Sequence, residues 1–252
     1  MPLRIAFDMD GVLADFEAAF RSVELQLFGD ALPPPPEQPE KRAQEEDHLR
    51  APTRRESDPP SPEGAVADQA VAAAEEPPRL PTRRKLDRVW SVIEETTDFW
   101  TALTPIDPGA VRRIQEMTIR HKWEVVFITQ RPRTAGETVQ RQTQRWLVAQ
   151  GFEWPSVLVM PGSRGKAAGA LHLDYLVDDS PKNCVDVISD SKARAILIVR
   201  DHDERIEASA RRLGIGVVSS IGACLDVLDE ATEVRGHPSL LDKLARMVGW
   251  KD

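Results

Sequence analysis

The chain has 252 residues, 41% of them hydrophobic, with 33 basic against 41 acidic side chains and a net charge of −8. That is enough apolar material for one α/β domain with an insertion, or two small domains, and the acidic balance argues against a general nucleic-acid surface while leaving room for a local basic patch. No apolar run approaches a membrane span. Cys184 and Cys224 match neither a zinc spacing nor a disulfide framework, so a reducing, cytoplasmic setting without a membrane partner is expected. With motif-bearing sequence from the first strand on, no signal peptide is expected.

A first strand over residues 3–7 runs straight into Asp8-Met9-Asp10-Gly11-Val12-Leu13-Ala14-Asp15. At the carboxyl end of a strand, residues i and i+2 point to the same side, so Asp8 and Asp10 are expected to share one site. Two like charges that close need a cation or a proton to coexist. A hard metal on oxygen ligands, with one carboxylate left to attack, suits such a pair. An apolar stripe follows in Phe16, Phe20, Val23 and Leu27, and another in Leu86, Val89, Trp90 and Ile93 ahead of Phe99-Trp100. Between them, residues 33–81 carry 12 of the 20 prolines and no Phe, Trp or Tyr. Such a segment cannot bury enough apolar area to offset its ordering entropy, and a disordered, partly polyproline insertion is expected, with a transient helix over 65–76.

Further along, apolar strands alternate with amphipathic helices. The pattern predicts a helix over 109–120 (Ala110, Ile114, Met117), a strand over 124–129, a helix over 134–150 (Val139, Trp146, Leu147) and a strand over 156–160. An alanine-rich helix after Lys166, strands over 175–177 and 195–200, a helix over 205–213, a strand over 216–218 and a helix over 239–248 complete it. The expected fold is α/β: a Rossmann-like parallel sheet with helices on both faces. The two early stripes lie where an ordinary connection needs one helix, so they are assigned to a small helical cap inserted after the first strand. This divides the chain into an α/β core (1–15 and 104–252), a cap (16–32 and 83–103) and the disordered insertion (33–82).

Three more candidates sit at strand ends. Thr129 closes its strand and offers a hydroxyl to an anionic oxygen, though a helix N-cap explains it as well; two residues on, Arg131 adds a planar, doubly donating cation. Lys166 follows Pro161-Gly162-Ser163-Arg164-Gly165, a run without the spacing of a nucleotide-binding P-loop; Lys166 is taken as the functional cation over its neighbour Arg164, an ordinary surface lysine being the alternative. Asp178-Asp179 ends the strand at 175–177, and adjacent carboxylates there are costly unless a cation or water satisfies them. Asn183 stands close enough to support them.

The Asp-x-Asp-Gly-Val-Leu run resembles the first motif of the haloacid dehalogenase superfamily, mostly magnesium-dependent phosphohydrolases. Asp8 through Phe16, and Phe99-Trp100 before Pro108-Gly109-Ala110-Val111, are similar to the 5'(3')-deoxyribonucleotidase family. The resemblance covers residues 1–30 and 84–200. It implies Asp8 as nucleophile, Asp10 as acid and base, Thr129 as phosphate donor, and Lys166 as the third-motif cation. It also implies Mg²⁺ held by Asp8, the Asp10 backbone carbonyl and Asp179, with Asp178 close by or acting through water. The expected substrate is a small phosphate ester, a nucleoside monophosphate first, with Arg131 near its phosphate or a second anionic group. Phe16 and Trp100 belong to the aromatics that would roof the site and stack a base. Thr129-Gln130-Arg131-Pro132 departs from the Ser-Pro usual in that family and is similar to the Thr-x-Arg of polynucleotide-phosphatase relatives. A polynucleotide-end or sugar-phosphate phosphatase, a phosphotransferase, and a phosphate-binding regulatory protein without turnover therefore stay open. Dehalogenation is disfavoured, because Asp10 suits phosphate esters.

Overall fold

The structure is a computed structural model that describes residues 2–29 and 83–234. The expected disordered insertion, its transient helix and the helix over 239–248 lie outside the described residues. Six strands form one sheet: β1 (Arg4–Asp8), β2 (Glu124–Thr129), β3 (Val157–Val159), β4 (Tyr175–Asp178), β5 (Arg194–Ile198) and β6 (Gly216–Val218). Every pairing is parallel, in the order β3-β2-β1-β4-β5-β6. The doubly wound α/β arrangement expected from the alternating pattern is therefore the observed one. The chain steps outward from β1 through β2 to β3, then returns to the other side of β1 as β4. In such sheets the crevice for a ligand opens beyond the carboxyl ends of the strands where the order reverses. Here that point is the end of β1 and β4, where Asp8 and Asp178 stand.

Strand alternation sorts the core into two layers. Ile5, Phe7, Phe127, Tyr175 and Val177 belong to one buried cluster, while Ala6, Ile128, Leu176 and Leu197 belong to the other. Over the first face lie α3 (Ala110–His121), through Ile114 and Met117, and α4 (Val139–Ala149), through Trp146 and Leu147. A helix that the sequence reading passes over, α8 (Ile221–Val234), adds Ile221, Cys224, Leu225 and Leu228 there. Over the second face lie α5 (Arg164–Ala170), α6 (Pro181–Asp190) and α7 (Glu204–Arg212), with Ala167, Ala168, Cys184, Val187 and Ala210.

Between β1 and β2 the chain also forms α1 (Phe16–Phe28) and α2 (Arg83–Glu95), which pack on one another. Phe20, Val89, Ile93 and Trp100 from this region join the same buried cluster as the first sheet face, so one continuous apolar core runs through both. The two ends of the excursion are stitched together: the Asp15 N–H donates to the Thr104 carbonyl at 2.9 Å and the Ile106 N–H to that of Leu13 at 2.9 Å.

The helix expected over 134–150 starts only at Val139. Gly136 adopts φ +92°, and a Cβ there would come 2.4 Å from Asp98 Oδ1. Asp98 accepts the Glu137 N–H at 2.8 Å, and Thr138 caps the helix by accepting from Arg141 at 3.3 Å. The segment is held as a loop against the turn at Phe99–Thr101.

On the second face α5 and α6 approach closely because Gly165 has no side chain: a Cβ there would stand 1.9 Å from the Asp186 carbonyl oxygen. Gly165→Ala is expected to force the helices apart and cost about 1–3 kcal/mol, read as a lower urea midpoint at unchanged m-value.

Candidate active site

Asp8 is the last residue of β1 and is buried. Beyond it the chain closes into a compact loop in which the N–H groups of Leu13 and Ala14 both donate to the Met9 carbonyl (2.9 and 2.8 Å). Gly11 turns the loop with φ +82°, and its N–H donates to the Ala14 carbonyl at 3.0 Å. The strand stops at Asp8, so strict alternation does not carry on to Asp10. The Asp10 N–H donates to Asp8 Oδ2 at 3.1 Å, while its carboxylate is drawn away to Arg131. Nε of Arg131 donates to one Asp10 oxygen at 2.8 Å and Nη2 to the other at 2.6 Å. The two carboxylates are neighbours joined through backbone, and each has its own cation.

For Asp8 that cation is Arg164. Its Nη2 donates to Asp8 Oδ1 at 3.0 Å, and its Nε lies 3.8 Å from Asp178 Oδ2. Only 3% of Arg164 is exposed, whereas Lys166, the residue the sequence puts forward for this place, lies exposed on the outer side of α5. The structure thus places Arg164, and not Lys166, beside Asp8, for a geometric reason. Residues two apart on a helix point to nearly opposite sides, and the buried side of α5 is the one that carries Arg164, Ala167 and Ala168. Ser163 caps the helix by accepting the Lys166 N–H at 3.3 Å, which starts α5 with Arg164 as its first residue. That i, i+3, i+4 stripe was the signal available in the sequence.

Asp178 is fully buried and holds the turn into α6, accepting from the Ser180 N–H at 2.9 Å and with both oxygens from Asn183 Nδ2 at 3.0 Å. It anchors the site from below. Asp179 is half-buried and lies against the first loop, where a Cβ on Gly11 would meet its Oδ2 at 1.7 Å. Beneath them, burial first, then the carboxylates of Asp178, Asp179 and Asp8, push the Cys184 thiol well above its ordinary range. One buried sulfur thus feels three carboxylates at the ends of the adjacent strands β1 and β4, Asp179 being the residue just after β4. Gly11→Ala would impose a left-handed backbone on a residue with a Cβ, costing roughly 1–2 kcal/mol, and would displace Asp179. We expect a lower melting temperature together with a loss of activity larger than that loss of stability explains.

Thr129 ends β2 beside Asp8; it is 1% exposed, and its hydroxyl oxygen has no hydrogen-bond partner. It does not cap α4, which begins ten residues later at Val139 and is capped by Thr138. Arg164 Nη1 is likewise buried without a hydrogen bond, and Nε makes none beyond its 3.8 Å ion pair with Asp178. Three donor atoms next to Asp8 therefore lack a hydrogen bond, a costly condition unless an acceptor arrives with a ligand.

The aromatics stand differently from the expectation. Trp100 is 1% exposed: the Arg131 guanidinium lies 4.7 Å from its ring centroid, Phe16 and Phe99 lie 5.5 and 5.0 Å away, and its Nε1 donates to the Pro132 carbonyl at 3.1 Å. A ring so enclosed supports Arg131 and leaves no room to stack a base. Phe16 is half-buried, stacked at 5.6 Å on Trp90 and edge-on to Phe20. Arg131, read from the sequence as a phosphate contact, spends both faces of its fork on Asp10 and Thr143.

Among the described residues, no three His, Cys, Asp or Glu side chains already form a metal cluster. Magnesium asks for less: one or two carboxylates, completed by water and substrate phosphate. The Asp179 carboxylate packed against Gly11 lies beside the peptide whose carbonyl belongs to Asp10, and Asp8 is hydrogen-bonded to the same loop. Asp8, Asp179 and that carbonyl are all hard oxygen donors, and they fit such an ion. No helix among the described residues is long and apolar enough to cross a membrane.

No family model matches the sequence, and no curated protein matches it. Among solved structures, similar chains include a protein assigned as a β-phosphoglucomutase from Thermotoga maritima (18% identity, TM-score 0.48, covering 90% of this chain and 99% of that one). An L-2-haloacid dehalogenase from Xanthobacter autotrophicus (11%, TM-score 0.44, 91% and 99%) is another. A 2-haloacid dehalogenase from Pseudomonas syringae pv. Tomato DC3000 (15%, TM-score 0.38, 91% and 99%) is a third. The functional reading rests on this chain's own strand order and site geometry.

Proposed function

We propose that this chain is a magnesium-dependent phosphomonoester hydrolase of the haloacid dehalogenase type, working through an aspartyl-phosphate on Asp8. One observation carries the reading. Thr129 Oγ1 and Arg164 Nε and Nη1 are buried donors that make no hydrogen bond around a strand-end carboxylate, which is the arrangement a phosphoryl group would complete. A carboxylate nucleophile, a hydroxyl donor and a guanidinium suit phosphoryl transfer, where catalysis is mostly positioning and charge stabilisation.

In the first step an Asp8 oxygen attacks phosphorus and the bond to the ester oxygen breaks. Asp10 gives its proton to that oxygen, which leaves as an alcohol. In the second step water attacks the phosphorus of the aspartyl-phosphate and passes a proton to Asp10, restoring the Asp8 carboxylate and releasing inorganic phosphate. Thr129 and Arg164 donate to the non-bridging oxygens throughout. Asp8, Asp179 and the Asp10 carbonyl would hold Mg²⁺; with that ion bound, charge on the phosphoryl and attacking oxygens is neutralised. The helices α1 and α2 would serve as a cap over the crevice.

Nucleoside monophosphates remain the first substrate class, on the motif resemblance. The enclosure of Trp100 removes one stacking platform and brings sugar phosphates and phosphorylated polynucleotide ends alongside them. The test is phosphate release from ribo- and deoxyribonucleoside 5'- and 3'-monophosphates, sugar phosphates and a 3'-phosphorylated oligonucleotide, with magnesium and with EDTA. Magnesium-dependent release concentrated on one of these classes supports the reading and names the substrate. Release from none of them would contradict it.

A further inference from the structure

Arg131 is the most heavily restrained cation among the described residues that the chemistry above leaves without a task. Its guanidinium takes both oxygens of Asp10 in a two-point hold (2.8 and 2.6 Å), and its Nη1 donates to Thr143 Oγ1 at 3.0 Å. The Trp100 ring covers it at 4.7 Å. Thr143 and Trp100 are themselves 0% and 1% exposed. Gln142 accepts the Trp100 N–H at 3.1 Å, so α4 fixes both the ring and the guanidinium. A planar fork locked on two sides fixes the plane of the carboxylate it grips. Arg131 is 6% exposed and uses each of its three nitrogens on a protein group, which argues against the substrate contact expected for it.

We infer that Arg131 is a positioning residue for Asp10, holding that carboxylate at the angle from which it serves the departing ester oxygen, with Thr143 and Trp100 bracing the guanidinium. The inference rests on the phosphatase reading. If it holds, removing the clamp harms the leaving-group step and spares substrate binding. A nitrophenyl ester, whose alcohol leaves without help, is affected little; an alkyl ester, whose oxygen must be protonated as it leaves, is affected strongly.

The experiment compares wild type, Arg131→Lys and Thr143→Val on 4-nitrophenyl phosphate and on an alkyl phosphate, measuring kcat and KM for each. For Arg131→Lys the expected result is a fall in kcat of about 100-fold on the alkyl ester but under about 10-fold on the aryl ester, with KM for both within about 3-fold. Thr143→Val keeps the volume of a fully buried side chain and removes one brace. It should show the same ester-dependent pattern at smaller size, and it carries the test if Arg131→Lys does not fold. Equal losses on both esters, or a rise in KM as the main effect, would overturn the inference and return Arg131 to substrate binding while leaving the phosphatase reading intact. A wild-type protein inactive on both esters and on the wider panel would overturn that reading and this inference with it.

Discussion

Under the proposed mechanism, Asp8→Asn should lose phosphatase activity by at least about 10³-fold, since it removes the group proposed to form the covalent intermediate and not merely one that assists it. The fold should survive. Asparagine keeps the shape, but Arg164 Nη2 and the Asp10 N–H sit on different Asp8 oxygens, so its one amide oxygen keeps one of these bonds and its NH2 faces the other donor, while one of the carboxylates crowded above Cys184 becomes neutral. These effects oppose one another, so a thermal melt within a few degrees of wild type is expected. Activity retained in this variant would remove Asp8 from the nucleophile's role whatever the substrate proves to be.

Arg164→Ala comes next in size, and its contrast with Lys166→Ala tests the geometry against the sequence expectation. Losing one preorganised transition-state donor typically costs about 10²–10³ in kcat. Arg164 also faces Asp8 and Asp178 from a buried position, so its removal leaves buried carboxylates short of a cation, and roughly 3–5 kcal/mol of stability should go with it. Arg164→Lys separates the two effects: it retains the charge, and with it most of the stability, but cannot present Nε and Nη1 to two oxygens at once. Lys166→Ala should stay within about 2-fold in kcat, as for surface positions generally. A large loss at Lys166 with Arg164→Ala active would reverse the assignment. Steady-state kinetics beside urea unfolding of the same preparations decides between them.

Much of the scaffold is legible in the sequence because the strands are strongly marked. Glu124–Thr129 and Gly216–Val218 coincide with their expected limits, and the remaining strands differ by one or two residues at their ends. Buried parallel strands read as continuous apolar runs between helices, a signal that survives without knowledge of partners. Of the candidate site, the sequence foretells placement only where residue type and strand end coincide, as for Asp8, Thr129 and the Asp178-Asp179 pair, which stand at neighbouring strand ends. Where a helix phase or a tertiary partner decides, local reading fails. Lys166 and Arg164 are two residues apart, and their difference lies in which side of α5 meets the sheet, a side set by the glycine contact of Gly165 with α6. Arg131 sits close to Thr129, but its partners Asp10 and Thr143 come from other elements. Trp100 looks like an exposed roof in the sequence because no periodicity at 99–101 reveals that α4 and Phe16 enclose it.

The central claim is a phosphoryl group carried on Asp8, and it can be caught directly. Wild-type protein would be mixed with magnesium and the best ester from the substrate panel, quenched in acid within the first turnover, reduced with borohydride and digested for mass spectrometry. An acyl phosphate on Asp8 is reduced to homoserine at that position, and the account predicts that product in the peptide containing residues 5–13, absent when EDTA replaces magnesium. Phosphate released at full rate with Asp8 unmodified, or with the label on another side chain, would contradict it.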